Sequence, residues 1–111
     1  MNADVEVLAS GPLATVQDLG RTGYLDIGVG MSGAADRASF RLANRLVGNA
    51  ENAPAVEVTF GGFALRALRN LTVAVTGAAC PVSVDGRGAA MNATLRLPAG
   101  ARLHLGTPAH V

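Results

Sequence analysis

The sequence predicts a mainly β fold that contains one α-helix. Short runs of alternating or β-branched apolar residues recur at close intervals, separated by Gly, Pro and Asp-Gly turn signals. Only residues 36–47 show apolar positions at helical spacing. Strands and helices do not alternate along the chain and no internal repeat is present, so we expect a barrel or a sandwich.

A single domain is expected from the length of 111 residues, half of them hydrophobic. No apolar run approaches the roughly 18 residues of a membrane helix, and residues 1–4 lack the basic start of a secretory signal. We therefore expect a cytoplasmic protein without a membrane partner. The net charge of +1, with no basic face, also argues against a nucleic-acid partner.

Lysine is absent, because all nine basic residues are arginine. The sequence therefore lacks a P-loop lysine, a Schiff-base lysine and a biotinylated lysine. Cys80 is the only cysteine, which excludes an internal disulfide and a Cys-rich zinc site. We favour a buried structural thiol over a nucleophile for Cys80. His104 and His110 have no third ligand near them in sequence, so no metal is predicted.

Two strands are predicted at the start of the chain, at residues 5–8 and 13–17, with Gly11-Pro12 between them. Residues 18–35 contain five glycines, a density that indicates irregular backbone. The helix then runs from Asp36, its cap or first-turn acid, to Val47, and Gly48 is its predicted stop.

Only strands are predicted after residue 49. Asp85-Gly86 is a tight-turn pair between two of them. Pro98-Ala99-Gly100 predicts a second hairpin, formed by residues 94–97 and 102–105. In that hairpin the leucines would lie on one face, and the other face would carry three polar side chains: Arg96, Arg102 and His104.

A glycine motif precedes the helix, because residues 28–33 (GVGMSG) fit the pattern G-x-G-x-x-G. Such glycines allow a backbone to approach a phosphate at a helix N-terminus. A dinucleotide site also needs a buried strand before the motif and an alternating parallel sheet. We therefore favour a loop whose glycines permit sharp turns, and an anion site at the helix start stays open.

The candidate functional residues lie in the segment between the second strand and the helix. Arg21 could bind a carboxylate or phosphate in a bidentate way, or could pair with Asp18 or Asp36 to hold the loop. Asp36 could act as an acid or base beside that arginine, which would lower the pKa of Asp36, or could cap the helix. Gln17 adds an amide, and Ser32, without a nearby histidine, is typical of a cap or turn.

A longer combination of motifs points to one family. The motifs are Thr15-Val16-Gln17-Asp18-Leu19-Gly20-Arg21, Gly23-Tyr24, Gly28-Val29, Ser32-Gly33-Ala34, Asp36, residues 41–49, Glu57, Gly61-Gly62, Thr76-Gly77-Ala78 and Pro98-Ala99-Gly100. Together they resemble the C subunit of bacterial 5-oxoprolinase, also called allophanate hydrolase subunit 2. This family is similar to the second part of the carboxyltransferase domain of urea carboxylase.

The resemblance implies a cyclophilin-like β-barrel, and residues 1–111 would form a single domain, the N-terminal portion of this carboxyltransferase-like domain. It implies a complex with A- and B-type subunits that uses ATP to cleave 5-oxo-L-proline, a small-molecule substrate, to L-glutamate. We expect the isolated chain to be inactive. Two alternatives follow from relatives: a biotin-dependent carboxyltransferase component, or a non-catalytic regulatory partner of a B-type subunit.

The resemblance also suggests where the site residues lie. We assign catalytic roles to Arg21 and Asp36. Substrate binding is assigned to four neighbouring residues: Gln17, Asp18, Ser32 and Gly33. ATP is expected in the complex, biotin only in the carboxyltransferase alternative, and no metal.

Overall fold

Two five-stranded β-sheets pack against each other in the computed structural model, and one α-helix covers the outer face of one sheet. The structure describes residues 4–10, 13–16, 26–31, 37–50, 56–59 and 61–107. The elements are β1 (Val5–Ser10), β2 (Leu13–Val16), β3 (Asp26–Met31), α1 (Arg37–Leu46), β4 (Val56–Thr59), β5 (Phe63–Ala67), β6 (Leu71–Gly77), β7 (Val82–Val84), β8 (Arg87–Ala89), β9 (Leu95–Leu97) and β10 (Arg102–Leu105). The predicted mainly β class with one helix is confirmed for these residues.

The two sheets differ in strand direction. The first sheet has the order β1-β5-β10-β7-β8, and its neighbouring strands are antiparallel. The second has the order β2-β4-β3-β6-β9, in which β3 is parallel to both β4 and β6. Among the described strands neither order returns to its first member, as expected for part of a barrel.

The hydrophobic core lies between the two sheets. Alternate residues of β5 and β10 point inward, because successive side chains of a strand face opposite sides. Large side chains that are almost fully buried come from both sheets: Phe63, Leu65, Leu103 and Leu105 from the first, and Val29, Val58, Val73, Val75 and Leu97 from the second. No helix in the described ranges is both long enough and apolar enough to cross a bilayer.

The predicted hairpin of residues 94–97 and 102–105 is wrong. β9 pairs with β6 in the second sheet, whereas β10 pairs with β5 and β7 in the first. The connection instead passes over the end of the core, where Ala67 of β5 accepts a hydrogen bond from Gly100 and donates one to Ala101. The predicted alternation is nevertheless confirmed, because the leucines pack inward from both sheets while Arg96, Arg102 and His104 are exposed.

The expectation that strands and helices do not alternate is also wrong, for the elements β3, α1 and β4. β3, α1 and β4 form a βαβ unit with parallel strands. The cause of the error is that β3 runs through Gly28 and Gly30, which the glycine density had assigned to irregular backbone. Glycine has little strand preference of its own, and here the pairing with β4 and β6 on both sides decides the conformation.

These two glycines lie on the face of the second sheet that α1 covers. Gly28 pairs with Ala74 and Gly30 with Thr76, and directly paired residues share a sheet face. Ala74 and Thr76 are fully buried although they do not face the core between the sheets. Small residues on this face leave room for the helix to approach the sheet closely.

The predicted tight turn at Asp85-Gly86 is confirmed. It joins β7 to β8, and both residues have positive φ, 51° and 80°, as a two-residue hairpin turn of this kind requires. The Asp85 carboxylate oxygen Oδ1 accepts a hydrogen bond from the backbone N–H of Arg102 at 2.9 Å. The turn is thereby attached to β10.

The edge strand β1 is interrupted by a bulge. The register of its pairing with β5 shifts between Val7 and Ala9, which leaves Leu8 as the extra residue. Val7 and Leu8 are 49% and 40% exposed. A 3.3 Å ion pair between Glu6 and Arg66 joins the outer faces of β1 and β5.

We predict that Gly61→Ala is far more destabilising than Gly86→Ala. Both glycines have φ near +80°, but a Cβ at Gly61 would overlap the carbonyl group of Gly106, whereas Gly86 has open space around it. We expect a loss of about 1–2 kcal/mol for Gly86→Ala from the backbone alone, and at least about 3 kcal/mol for Gly61→Ala. Urea unfolding measures both, and equal losses would contradict the assigned contact.

Candidate functional site

The candidate site lies at the carboxyl edge of the parallel strands β4, β3 and β6. Met31, the last residue of β3, pairs with Val58 and Gly77, so the three strands end at the same level. Three connections leave this edge: residues 32–36 lead to α1, 60–62 to β5 and 78–81 to β7. Ligands of parallel sheets commonly bind outside the carboxyl ends of the strands.

The start of α1 is attached to this edge by a threonine. Thr76 of β6 donates a hydrogen bond from Oγ1 to the backbone carbonyl of Ser39 at 2.7 Å, and Thr76 is fully buried. Ser39 belongs to the first turn of α1, which contains no acidic residue. The free N–H groups of a helix start favour negative charge, so this end of α1 is electrostatically suited to an anion.

The other end of α1 is closed by its own cap. Asn49 donates to the carbonyl of Asn44 at 2.8 Å and Gly48 donates to that of Arg45 at 3.1 Å, with Gly48 at φ 81°. This pattern is a Schellman motif, and it confirms Gly48 as the predicted helix stop. Thr94 Oγ1 also donates to the carbonyl of Leu46 at 2.8 Å. Threonine hydroxyls thus hold both ends of the helix.

The six residues assigned to the site from the sequence lie outside the described residues: Gln17, Asp18, Arg21, Ser32, Gly33 and Asp36. The structure does fix the ends of the strands and helix that flank them. Residues 32–36 leave β3 at Met31, on the carboxyl edge, and enter α1 at Arg37. The segment that holds Ser32, Gly33 and Asp36 therefore starts and ends beside the candidate site.

The segment that holds Gln17, Asp18 and Arg21 is attached further away. The segment begins after Val16, which pairs with the same β4 residue, Val56, as Val29 of β3 does. It ends at Asp26, the first residue of β3, whereas Met31 is the last. Five residue steps separate Asp26 from Met31, about 17 Å along a strand. In the sequence Arg21 is five residues from both Val16 and Asp26, about 17 Å of extended chain in each direction.

Cys80 lies three residues beyond the end of β6 and is partly buried. Its backbone N–H donates to the Met91 sulfur Sδ at 3.4 Å. Burial raises the pKa of the Cys80 thiol above its ordinary value of 9.0. The thiol is therefore protonated at neutral pH, which favours the structural interpretation over a nucleophile.

Neither histidine takes part in the site as described. His104 is exposed on the outer face of the first sheet, opposite Ala64 and Ser83, and His110 lies outside the described residues. Where the structure describes side chains, no three His, Cys, Asp or Glu residues lie close enough together to hold a metal ion.

The glycine motif does not form a nucleotide-binding turn at its first two glycines. In a dinucleotide site these glycines form the turn after the strand, whereas Gly28 and Gly30 lie inside β3. The alternative of a sharply turning loop is wrong for the same two residues. The described part of the motif serves the packing of α1.

The sequence interpretation missed the helix contacts of Thr76 and Thr94, although Thr76 belongs to the motif Thr76-Gly77-Ala78. Their hydrogen bonds span 37 and 48 residues, so no local spacing reveals them. A weak signal exists for Thr76: in the dense strand of residues 71–77, Thr72, Ala74 and Thr76 alternate with larger apolar residues. Such a stripe of small residues indicates a second packed face of the sheet.

The structure thus defines a two-sheet β domain with one βαβ unit, whose carboxyl edge meets the start of its helix. The chain belongs to the carboxyltransferase domain family, subdomain A and B, because the family's profile matches residues 27–111. This confirms the resemblance inferred from the motifs.

Similar proteins include two groups of enzymes. The chain is 38% identical over 106 residues to the C subunit of 5-oxoprolinase from Escherichia coli, covering 96% of this chain and 34% of that protein. It is 39% identical over 102 residues to urea amidolyase of Lachancea kluyveri, covering 91% of this chain and 6% of that protein. The chain therefore spans about a third of the length of the E. coli protein.

Solved structures agree with the fold. The crystal structure of the K. lactis urea amidolyase matches with a TM-score of 0.77 and 37% identity, over 98% of this chain and 7% of that chain. The structure of TTHA0988 matches with a TM-score of 0.70 and 29% identity, over 95% of this chain and 40% of that one.

The raised pKa of Cys80 leads to a pH prediction. A thiol whose pKa is higher in the folded state stabilises the fold fully below its unfolded pKa, and this contribution disappears as the pH rises through the folded pKa. We expect the difference in unfolding free energy between wild type and Cys80→Ala to be constant up to about pH 8. Above the ordinary value of 9.0 the wild type should lose stability relative to the variant.

Alkylation provides the direct check. At pH 7.5 iodoacetamide should modify Cys80 in the folded chain at least about 10-fold more slowly than in urea, because the thiolate is the reactive form. Equal rates in the two states would contradict the raised pKa.

Proposed function

We propose that this chain is a component of an ATP-dependent 5-oxoprolinase complex, which opens the ring of 5-oxo-L-proline to give L-glutamate. The observation that carries the proposal is the identity of 38% and 41% to the 5-oxoprolinase C subunits of Escherichia coli and Haemophilus influenzae. Because the chain spans only part of these relatives, the activity is proposed for an assembly that includes A- and B-type subunits.

The reaction requires stabilisation of negative charge. In this proposal the lactam carbonyl oxygen takes the terminal phosphoryl group of ATP, and ADP leaves. Water then adds to the activated carbon, the ring C–N bond breaks as the ring nitrogen gains a proton, and a second water releases phosphate from the resulting acyl phosphate. Negative charge develops on the oxygens of the tetrahedral intermediate before the C–N bond breaks, and fixed hydrogen-bond donors stabilise it. The start of α1 at the carboxyl edge supports such a role, because its N–H groups favour an anion there.

We assign the individual roles to the segments on either side of β3. Arg21 holds the substrate carboxylate or the developing negative charge. Asp36 is the acid, the base or the group that orients the substrate. Ser32 and Gly33 donate hydrogen bonds to the oxyanion at the helix start. Two further residues fix the loop or polarise the substrate: Gln17 and Asp18.

The described residues do not form a P-loop, the glycine-rich phosphate site of many ATP-binding proteins. The first two glycines of the glycine motif are part of β3, and no lysine is present in the sequence to pair with phosphates. We therefore propose that ATP is bound outside the described residues. The proposed roles of this chain concern the lactam, and no metal is assigned to it.

Biotin-dependent carboxyl transfer is the second candidate function. It is favoured by the 39% identity to the urea amidolyase of Lachancea kluyveri and by the TM-score of 0.77 to the Kluyveromyces lactis urea carboxylase. Since the sequence has no lysine, it cannot carry biotin itself. In this alternative it would receive a carboxyl group from a biotin carrier on another chain or domain.

We predict that Arg21→Ala and Asp36→Ala each lower ATP-dependent glutamate release at least about 100-fold, or about 2.7 kcal/mol of transition-state stabilisation. The assay combines this chain with its A- and B-type partners and 5-oxoproline. Arg41→Ala is the matched control, because Arg41 is exposed on α1 and outside the proposed machinery. Its activity should stay within about 2-fold of wild type.

The outcomes separate the alternatives. Wild-type activity in both variants would place the chemistry elsewhere. If the chain is inactive while the E. coli C subunit works with the same partners, the proposed function is wrong for this chain. Carboxyl transfer from a biotin carrier to urea would then support the second candidate. Partner binding that survives both substitutions, without either reaction, would support a regulatory partner.

A further inference from the structure

We infer that Thr76 is a positioning residue of the candidate site, whose hydroxyl holds the first turn of α1 at the carboxyl edge of the parallel strands. The inference rests on the proposed function, in which residues 32–36 take part in the chemistry. Thr76 itself touches neither substrate nor reacting atoms in this assignment, and it acts through the helix.

The hydrogen bond has the geometry of a strong contact. The distance from Thr76 Oγ1 to the Ser39 carbonyl oxygen is 2.7 Å, the usual value for a hydroxyl donor. Thr76 is fully buried, so water does not compete for its hydroxyl. A carbonyl oxygen has two lone pairs, so the Ser39 carbonyl can accept this bond in addition to one from within the helix. The bond therefore fixes where the helix lies without being needed for the helix to form.

The position of this bond makes it relevant to the site. Thr76 pairs with Gly30 of β3, one residue before the end of that strand. The next residue of β3, Met31, is held in the ladder by Val58 and Gly77. Met31, which precedes residues 32–36, is thus held by the sheet, and the helix turn that follows them is anchored by Thr76. Small displacements of catalytic groups cost large factors in rate, so this anchor should matter for activity.

The chain contains a second threonine–helix bond that serves as a control, although Thr94 is exposed whereas Thr76 is buried. Thr94 Oγ1 donates to the carbonyl of Leu46 at 2.8 Å, so a threonine hydroxyl also contacts a helix carbonyl at the other end of α1. Leu46 lies seven residues beyond Ser39, about 10 Å along the helix axis. The loss of an exposed bond is expected to loosen α1 less than the loss of a buried one. A general loosening of α1 would reach its last turn, whereas the loss of a local anchor at Thr76 would be confined to the start of the helix and the segment before it.

The experiment compares Thr76→Val, Thr76→Ser and Thr94→Val in the reconstituted assay for glutamate release. Thr76→Val should lower kcat at least about 10-fold, since it keeps the shape but removes the donor. Thr76→Ser, which keeps the hydroxyl, should stay within about 3-fold of wild type, and Thr94→Val within about 2-fold. Amide hydrogen exchange, followed by mass spectrometry over residues 32–42, should be faster in Thr76→Val and unchanged in Thr94→Val.

Several results would overturn the inference. These are full activity of Thr76→Val, failure of Thr76→Ser to restore activity, or an equal loss in Thr94→Val. If the wild-type chain releases no glutamate, the proposed function fails. Hydrogen exchange alone then tests whether Thr76 anchors the first turn of α1. Unchanged exchange in Thr76→Val would overturn the anchoring role, whereas faster exchange confined to residues 32–42 would support it.

Discussion

The packing of α1 against β3 and β6 is the constraint on which the rest of the structure depends. β3 lies between two parallel neighbours, places Val29 in the core between the sheets, and presents Gly28 and Gly30 on the helix side. Both glycines share this sheet face with the small residues Ala74 and Thr76. Because α1 lies close, Thr76 can reach its first turn, and the carboxyl edge gains a helix start at a fixed position.

The strands, one hairpin turn and the end of the helix could be predicted from the sequence, because short local patterns determine them. Alternation identified the strands, and Asp85-Gly86 and Gly48 marked a hairpin and a helix end through positive φ. The errors arose where distant contacts decide. Gly28 and Gly30 become strand residues only through pairing with β4 and β6, and Pro98-Ala99-Gly100 joins different sheets because both leucine faces pack into one core.

The candidate site could be predicted only in part for the same reason. The sequence placed Ser32, Gly33 and Asp36 between the second predicted strand and the helix. The structure adds β3 before them, so that residues 32–36 follow Met31 at the carboxyl edge and precede Arg37 of α1. The threonines that hold the helix are 37 and 48 residues away in sequence from the carbonyl groups they contact, so no local sequence pattern indicates these bonds. The family profile matches residues 27–111, and the chemistry proposed above follows from the relatives, while the helix anchor concerns how this chain would hold its site.

The bulge at Leu8 has a consequence for solubility. Among the described strands β1 lies at a sheet edge, and it carries two exposed apolar side chains, Val7 and Leu8. An unpaired row of backbone groups on a flat edge strand would template pairing with another copy. The extra residue breaks the regular spacing of those groups halfway along the strand. A second β1 could therefore match only a short part of this edge, which disfavours the growth of intermolecular sheets.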